Sequence, residues 1–69
     1  MKTSARNHFA GTIKSLVKGP VSTEVTITVA PGVQVVATIS SHSAESLALA
    51  VGKPVHALIK ASSVIVAVD

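Results

Sequence analysis

The fold is decided by residues 21–39, which read VSTEVTITVAPGVQVVATI. Apolar and polar residues alternate on both sides of a central Pro31-Gly32 pair, and this is the period of half-buried antiparallel strands. Proline followed by glycine is typical of a turn, and its position between two strand patterns predicts a hairpin. We therefore predict two paired strands, over 21–30 and 33–39.

The flanking segments predict three further strands and one helix. These strands are predicted over 9–17, 55–60 and 64–68, where apolar residues alternate or run together. The serines of 40–43 are typical of a helix start, and apolar residues at helical spacing follow them, so a short helix is predicted over 44–50. This order predicts an all-β fold, a five-stranded OB-like small barrel with one short helix between strands 3 and 4.

Two local details accompany this prediction. In the first strand, Ile13 and Val17 are expected to face inward, and Gly11 is expected to mark a bulge or a sharp bend. After the helix, Gly52 is expected to lie just past the last turn, with Pro54 beyond it as a further stop signal.

The composition describes a short and unusually apolar chain. Its 69 residues allow one domain, predicted over 1–69, and 48% of them are hydrophobic while only 1% are aromatic. The mean hydropathy is +0.61. The segment 64–68 is apolar at nearly every position, which is typical of a strand covered on both faces. Because monomers rarely expose large apolar patches, we expect a homo-oligomer in which a second subunit covers one of these faces.

Several classes of protein are disfavoured by what the chain lacks. It has no cysteine, which excludes disulfides and thiolate metal sites. No apolar run approaches the roughly 18 residues of a membrane span, and polar residues precede the first apolar stretch, unlike a signal peptide. We therefore expect a cytoplasmic location and no membrane partner.

The residues that could carry catalysis are few and scattered. The carboxylates and histidines are Glu24, Glu45, Asp69, His8, His42 and His56. Neither set has the spacing of a catalytic group or of a protein–metal site, so we expect no enzyme and no direct metal ligands. The net charge of +3 comes from scattered basic residues, and Phe9 is the only aromatic ring that could stack a base, so a nucleic-acid partner is not expected either.

Three short segments are rich in hydrogen-bond donors, and they point to a small anion. They lie at residues 3–7, 40–43 and 60–63. The first combines hydroxyls with an arginine and an asparagine, the last combines hydroxyls with a lysine, and the middle one reads SSHS. The middle segment also precedes a predicted helix, whose free N–H groups favour negative charge. Serine-rich turns are more often plain helix caps than ligand sites, so the inference depends on the three segments together.

The same segments resemble a known family. Residues 4–13, SARNHFAGTI, are similar to the SARN-x-x-x-G-x-[IV] start of the molbindins, and residues 57–64, ALIKASSV, are similar to their A-x-I-K-[AS]-[ST]-x-V segment. The stretch TISSHS at 38–43 also matches. His8 is a departure, because the family usually has glutamine at this position. The resemblance covers essentially the whole chain, which is identified as a single molbindin-like domain over 1–69.

The resemblance implies a function and a set of site residues. It implies a five-stranded OB-like barrel, assembly into a homohexamer built as a trimer of dimers, and molybdate or tungstate bound between subunits. Carried over by position, one subunit contributes Ser4, Arg6, Lys60 and Ala61, with Ser62 as a further donor. The neighbouring subunit contributes Ser40 and Ser43.

The implied role is intracellular binding, storage or buffering of the oxyanion. Two alternatives remain open at this point. One is an oligomerisation module that binds no ligand, and the other is an OB-type domain that binds nucleic acid.

Overall fold

Four antiparallel strands form one curled sheet in the computed structural model, which describes all 69 residues. The elements are β1 (Asn7–Lys18), β2 (Ser22–Ala30), β3 (Val33–Ser40), α1 (Ser41–Ser46) and β4 (Pro54–Ile59). The strand order in the sheet is β3-β2-β1-β4. The predicted hairpin and the short helix between the third and fourth strands are therefore confirmed. The structure contains no helix with the length and hydrophobicity of a membrane span.

The predicted fifth strand over 64–68 is absent, and the sheet closes only to a half-barrel. After β4 the chain makes one 3-10 turn (Ala61–Ser63) and then continues without regular structure. Ile65, Val66 and Val68 are each about nine-tenths exposed, at 91%, 87% and 92%. The expectation of a five-stranded barrel is wrong for the single chain, because an apolar strand needs cover on both faces and this chain provides none.

The core lies on the concave face of the sheet and is small. Only six of the 69 residues are buried, and four of them form the central cluster of Ile13, Val25, Ile27 and Ala57. A core of this size leaves a domain of this length marginally stable on its own. Domains of this size often gain further stability from a metal, a disulfide or a partner subunit.

A bulge in β1 decides which of its residues reach the core. Ile13 pairs with Ile27, but Ser15 pairs with Thr26, so Lys14 is an extra residue in β1. The extra residue reverses the alternation beyond it, and Leu16 packs against the core. Val17, which was expected inside, is 63% exposed.

Gly11 has a different role from the predicted bulge. It lies three residues before the bulge, opposite Val55 of β4. A Cβ atom added there would lie 2.4 Å from the backbone oxygen of Thr28 and 2.9 Å from the Cγ2 atom of Ile27. Gly11 is therefore required by the close approach of β2 and not by a special backbone conformation.

The helix begins earlier and ends earlier than predicted. It begins at Ser41 because the hydroxyl of Ser40 caps it, accepting the backbone N–H of Ser43 at 3.0 Å. It ends at Ser46 because the following Ala48 has a left-handed backbone, with φ of +52°. Gly52, expected to end the helix, instead has φ of +88° in the next turn.

The helix end is a Schellman motif built without glycine. Leu49 N–H donates to the oxygen of Ala44 at 3.1 Å, and Ala48 N–H donates to the oxygen of Glu45 at 2.9 Å. The position in the left-handed conformation is normally glycine, because a Cβ atom there is strained. Ala48 therefore carries a conformational cost at this helix end.

Replacing Ala48 by glycine is expected to stabilise the fold by about 0.5–1 kcal/mol, because the relief of left-handed strain exceeds the added freedom of the unfolded chain. Ala48→Gly should raise the denaturation midpoint, measured by circular dichroism at fixed protein concentration. Ala50→Gly is the matched control, since Ala50 has no positive φ, and it should lower the midpoint. An equal loss in both variants would contradict the prediction.

A buried polar contact joins the helix start to the β1–β2 turn. Thr23 is fully buried, and its hydroxyl lies 2.8 Å from that of Ser41. Ser41 in turn donates its hydroxyl to the backbone oxygen of Gly19 at 2.6 Å. These bonds leave no buried side-chain polar atom without a partner, and they hold α1 at the end of β1 that lies away from Asn7.

Candidate functional site

A groove of about 510 Å³ lies where the start of β1 meets the end of β4. Its lining residues come from the two ends of the chain and consist mainly of hydroxyl, cationic and small side chains. They are Thr3, Ser4, Ala5, Arg6, Leu58, Lys60, Ala61 and Ser62. The groove therefore brings together two of the three donor-rich segments.

The strand register places two cations opposite each other in this groove. Asn7 pairs with Ile59, and the Asn7 side-chain amide donates to the backbone oxygen of Ile59 at 3.2 Å. Arg6 and Lys60 come next, immediately outside the two strands, so a continuation of this register would set them opposite each other. Because residues alternate between the faces of a sheet, both side chains belong to the convex face.

Two opposed cations repel each other, and the groove provides nothing to balance them. Like charges held near each other raise the free energy of the fold. No carboxylate is among the lining residues, so Arg6 and Lys60 have no acidic partner there. A small anion between them would turn this repulsion into attraction, since each cation would then face a negative charge.

The remaining lining groups are predominantly donors. Ser4 and Ser62 line the groove, and the hydroxyl of Thr3 accepts the N–H of Ala5 at 3.1 Å. The 3-10 turn adds backbone donors, because the first N–H groups of a helical turn have no partner within it. In this turn Ser63 N–H is the first to be satisfied, by the oxygen of Lys60 at 2.9 Å.

Two predicted site residues lie elsewhere. Ser40 and Ser43 are at the start of α1, where Ser40 pairs with Ser22 and its hydroxyl bonds to that of Ser43 at 2.8 Å. This is the opposite end of β1 from the groove. One chain thus gathers Ser4, Arg6, Lys60, Ala61 and Ser62 into one groove and keeps the other two serines apart from it.

The structure also adds lining residues that the sequence did not single out as site residues. Leu58 lies two positions before Lys60 and so shares its face of the strand, a relation that alternation alone could have revealed. Ala5 lies between Ser4 and Arg6 and contributes a small side chain. Thr3 was noted only as a member of the first donor-rich segment.

A second cavity, of about 660 Å³, opens on the concave face of the half-barrel. Thirteen of its fifteen lining residues are hydrophobic, so it is an uncovered extension of the core and not a polar site. Together with the exposed tail at 64–68, it leaves two extensive apolar surfaces on one small chain. Such surfaces typically mark contacts with other protein molecules.

The sequence is similar to a known domain family and to several molybdenum-related proteins. The model of the TOBE domain family matches residues 3–66. The chain is 41% identical over 69 residues to a probable molybdenum-pterin-binding protein of Haemophilus influenzae, covering the whole of both chains. It is also 48% identical over 69 residues to the molybdenum transport protein ModE of Herbaspirillum seropedicae, but it spans only 26% of that protein's length.

Solved structures agree with this grouping. A molybdate-binding protein from Sporomusa ovata superposes with a TM-score of 0.89 at 37% identity, covering 97% of this chain and 98% of the other. MopII from Clostridium pasteurianum superposes with a TM-score of 0.91 at 33% identity, covering 97% and 100%. The curled sheet with its single short helix is thus shared over nearly the full length of both structures. The chain belongs to the TOBE domain family and is a protein of the molbindin type.

Proposed function

We propose that this protein reversibly binds molybdate, or the closely similar tungstate, and performs no chemistry on it. The observation that carries the proposal is the opposed pair of Arg6 and Lys60 in a groove without a carboxylate. Relatives named for molybdenum binding and the superposed molybdate-binding protein support the choice of anion. The proposed role is intracellular storage or buffering of the oxyanion.

The donor set favours a fully deprotonated dianion. Molybdate carries two charges and no proton, so its oxygens only accept hydrogen bonds, whereas hydrogen phosphate also has a proton to donate. The groove contains no carboxylate to accept that proton. Sulfate has the charge of molybdate but a smaller radius, so the fit of the closed site would separate these two anions.

Some relatives are named for a molybdenum-pterin, but the groove favours the bare oxyanion. A pterin is a flat ring that an aromatic side chain would stack upon. Phe9 is the only such ring of the chain, and it is not among the groove residues. It alternates with Arg6 and His8 and so belongs to the opposite face of β1.

We further propose that the binding unit is an assembly of identical chains, a homohexamer built as a trimer of dimers. The groove is open on one side, and the Ser40 and Ser43 hydroxyls of a neighbouring subunit would complete it. The uncovered concave cavity and the tail at 64–68 supply the apolar area that such an assembly needs. The whole chain, 1–69, acts as a single domain in this proposal.

The direct test is isothermal titration with sodium molybdate, with sulfate and phosphate as competing anions, on protein whose mass in solution has been determined by light scattering. We expect binding in a fixed ratio to the subunits, and a much weaker response to sulfate and phosphate. A folded oligomer that gives no heat and no thermal stabilisation with molybdate would contradict the proposal. It would leave an oligomerisation module without a ligand as the better interpretation.

Removal of the Lys60 charge is expected to weaken molybdate binding by roughly 10- to 100-fold, since hydrogen bonds to charged groups contribute about 1.5–3 kcal/mol each. Lys60→Ala should do this without changing the mass of the oligomer. Lys14→Ala is the matched control, because Lys14 is an exposed lysine at the β1 bulge outside the groove. If both variants bound equally well, the groove would not be the site.

A further inference from the structure

Two histidines form a pair on the convex face of the sheet, outside the anion groove. The Nε2 atom of His8 lies 2.7 Å from the Nδ1 atom of His56, and the ring centroids are 4.8 Å apart. Both residues are exposed, and neither lines the groove. The oxyanion site therefore makes no use of them.

The backbone brings these two rings together and holds them there. His8 pairs with Leu58 and His56 pairs with Ala10, so the two histidines are diagonal neighbours on β1 and β4. Alternation puts both side chains on the same face. Diagonal neighbours in an antiparallel pair are within reach of long or aromatic side chains, and the strands themselves are rigid elements on which such a pair can be preorganised.

We propose that His8 and His56 form a binding site for a late first-row divalent cation, with Cu²⁺ bound most tightly. Neutral imidazole nitrogen is a preferred ligand of Cu²⁺, Ni²⁺ and Zn²⁺, and Cu²⁺ has the highest affinity of the series. The proposal concerns a cation bound directly by the protein, and it is independent of oxyanion binding.

The ring geometry is close to what two ligands of one metal require. For nitrogen–metal bonds of about 2.0–2.1 Å and ligand angles of about 90–110°, the two ring centroids would be roughly 4.5–5.2 Å apart. The observed 4.8 Å lies within this interval. The two nitrogens must separate by only a few tenths of an ångström, which small side-chain rotations on an exposed face can provide.

A metal ion can replace the hydrogen bond between the two rings without any net gain or loss of protons. In the neutral pair one of the two facing nitrogens carries the shared proton and the other accepts it. When the metal binds, the ring that carried this proton takes the other tautomer, with the proton on its outward nitrogen. Each ring then offers a lone pair, and both remain neutral.

The site has two protein ligands, and water would complete the coordination. No group of three or more histidine, cysteine, aspartate or glutamate side chains lies close enough to hold a metal together. A two-imidazole chelate with open positions is typical of exchangeable binding and not of a structural metal. We therefore expect the fold to persist without the cation.

The test uses CuCl₂ as the probe in a chelator-free buffer, with electron paramagnetic resonance and a chromophoric competitor to determine ligands and affinity. The full-length protein should bind one Cu²⁺ per chain with splitting from two imidazole nitrogens. His8→Gln and His56→Gln should each weaken binding by about tenfold or more, because the second ligand of a chelate binds at high effective concentration. His42→Gln, which removes an exposed histidine of α1, is the matched control and should bind as the parent does.

Circular dichroism of each variant shows whether the sheet is retained, and all three exchanged side chains are exposed. The proposal is overturned if either His8→Gln or His56→Gln retains the parental affinity and spectrum. It is equally overturned if His42→Gln loses as much affinity as they do, since binding would then be spread over any surface histidine.

Discussion

Replacing Gly11 by alanine is expected to destabilise the protein by about 3 kcal/mol, a large share of the stability of so small a domain. The added Cβ atom would lie 2.4 Å from the Thr28 backbone oxygen. Backbone in the middle of a sheet cannot yield as a flexible side chain can, so β1 and β2 must part. At fixed protein concentration we expect the thermal midpoint to fall by roughly 12–24 °C.

Gly32→Ala separates this steric cost from the cost of a left-handed backbone. Gly32 has φ of +73°, and a Cβ atom there would meet nothing within 4 Å. The stability lost in Gly32→Ala therefore comes only from the strained backbone conformation and should be about 1–2 kcal/mol. If Gly11→Ala proved no more harmful than Gly32→Ala, the close approach of β1 and β2 would not be a constraint on the fold.

A charge in the apolar tail is expected to break the assembly. Val66 is 87% exposed in the single chain and lies in the segment that we propose to be covered by another subunit. Burying an aspartate in such an interface costs at least about 3 kcal/mol per copy, more than a hundredfold in the dissociation constant. Val66→Asp should therefore lower the mass measured by light scattering, and dilution should lower it further.

Val51→Asp is the matched control for the tail. Val51 is also an exposed valine, at 67%, but it lies in the turn after α1 and not in the apolar run. The assembly formed by Val51→Asp should have the same mass by light scattering as that of the parent protein. The same is expected of the conservative variant Val66→Ile. An unchanged mass for Val66→Asp would assign the tail no part in assembly.

The sequence predicted best those elements whose residue pattern depends only on which face of the strand is buried. Alternation in β2 and β3 together with the Pro31-Gly32 turn is enough to predict the hairpin, because one face is buried and the other is not. The bulge at Lys14 has no such signature, since an extra residue in one strand is defined only by its partner. For that reason Val17 rather than Leu16 was expected inside. The apolar run at 64–68 has the composition of a covered strand, but the pattern does not identify a partner for it, and in the single chain the segment is exposed.

The sequence predicted several of the residues of the candidate site, but not how the fold arranges them relative to one another. The resemblance of the two chain ends to the family names Arg6 and Lys60, but only the pairing of β1 with β4 shows that both line one groove. Ser40 illustrates the opposite situation. Its hydroxyl suits an anion site, but in the fold it caps α1 at the end of the sheet away from the groove. Residue type indicates which chemistry is possible, and register decides which groups meet.

The two sides of the groove come from opposite ends of the chain, and this bears on the order in which the strands fold. The bond from Asn7 to Ile59 closes a loop of 52 positions, whereas the β1–β2–β3 meander closes only short ones. Because loop-closure entropy opposes this long-range pairing, we expect β4 to dock late in folding and its contacts to open first. If the proposed anion binds across this junction, it would link the edge strand β4 to β1. We would then expect its residence time to depend on how often β4 detaches as well as on the contacts that the anion makes.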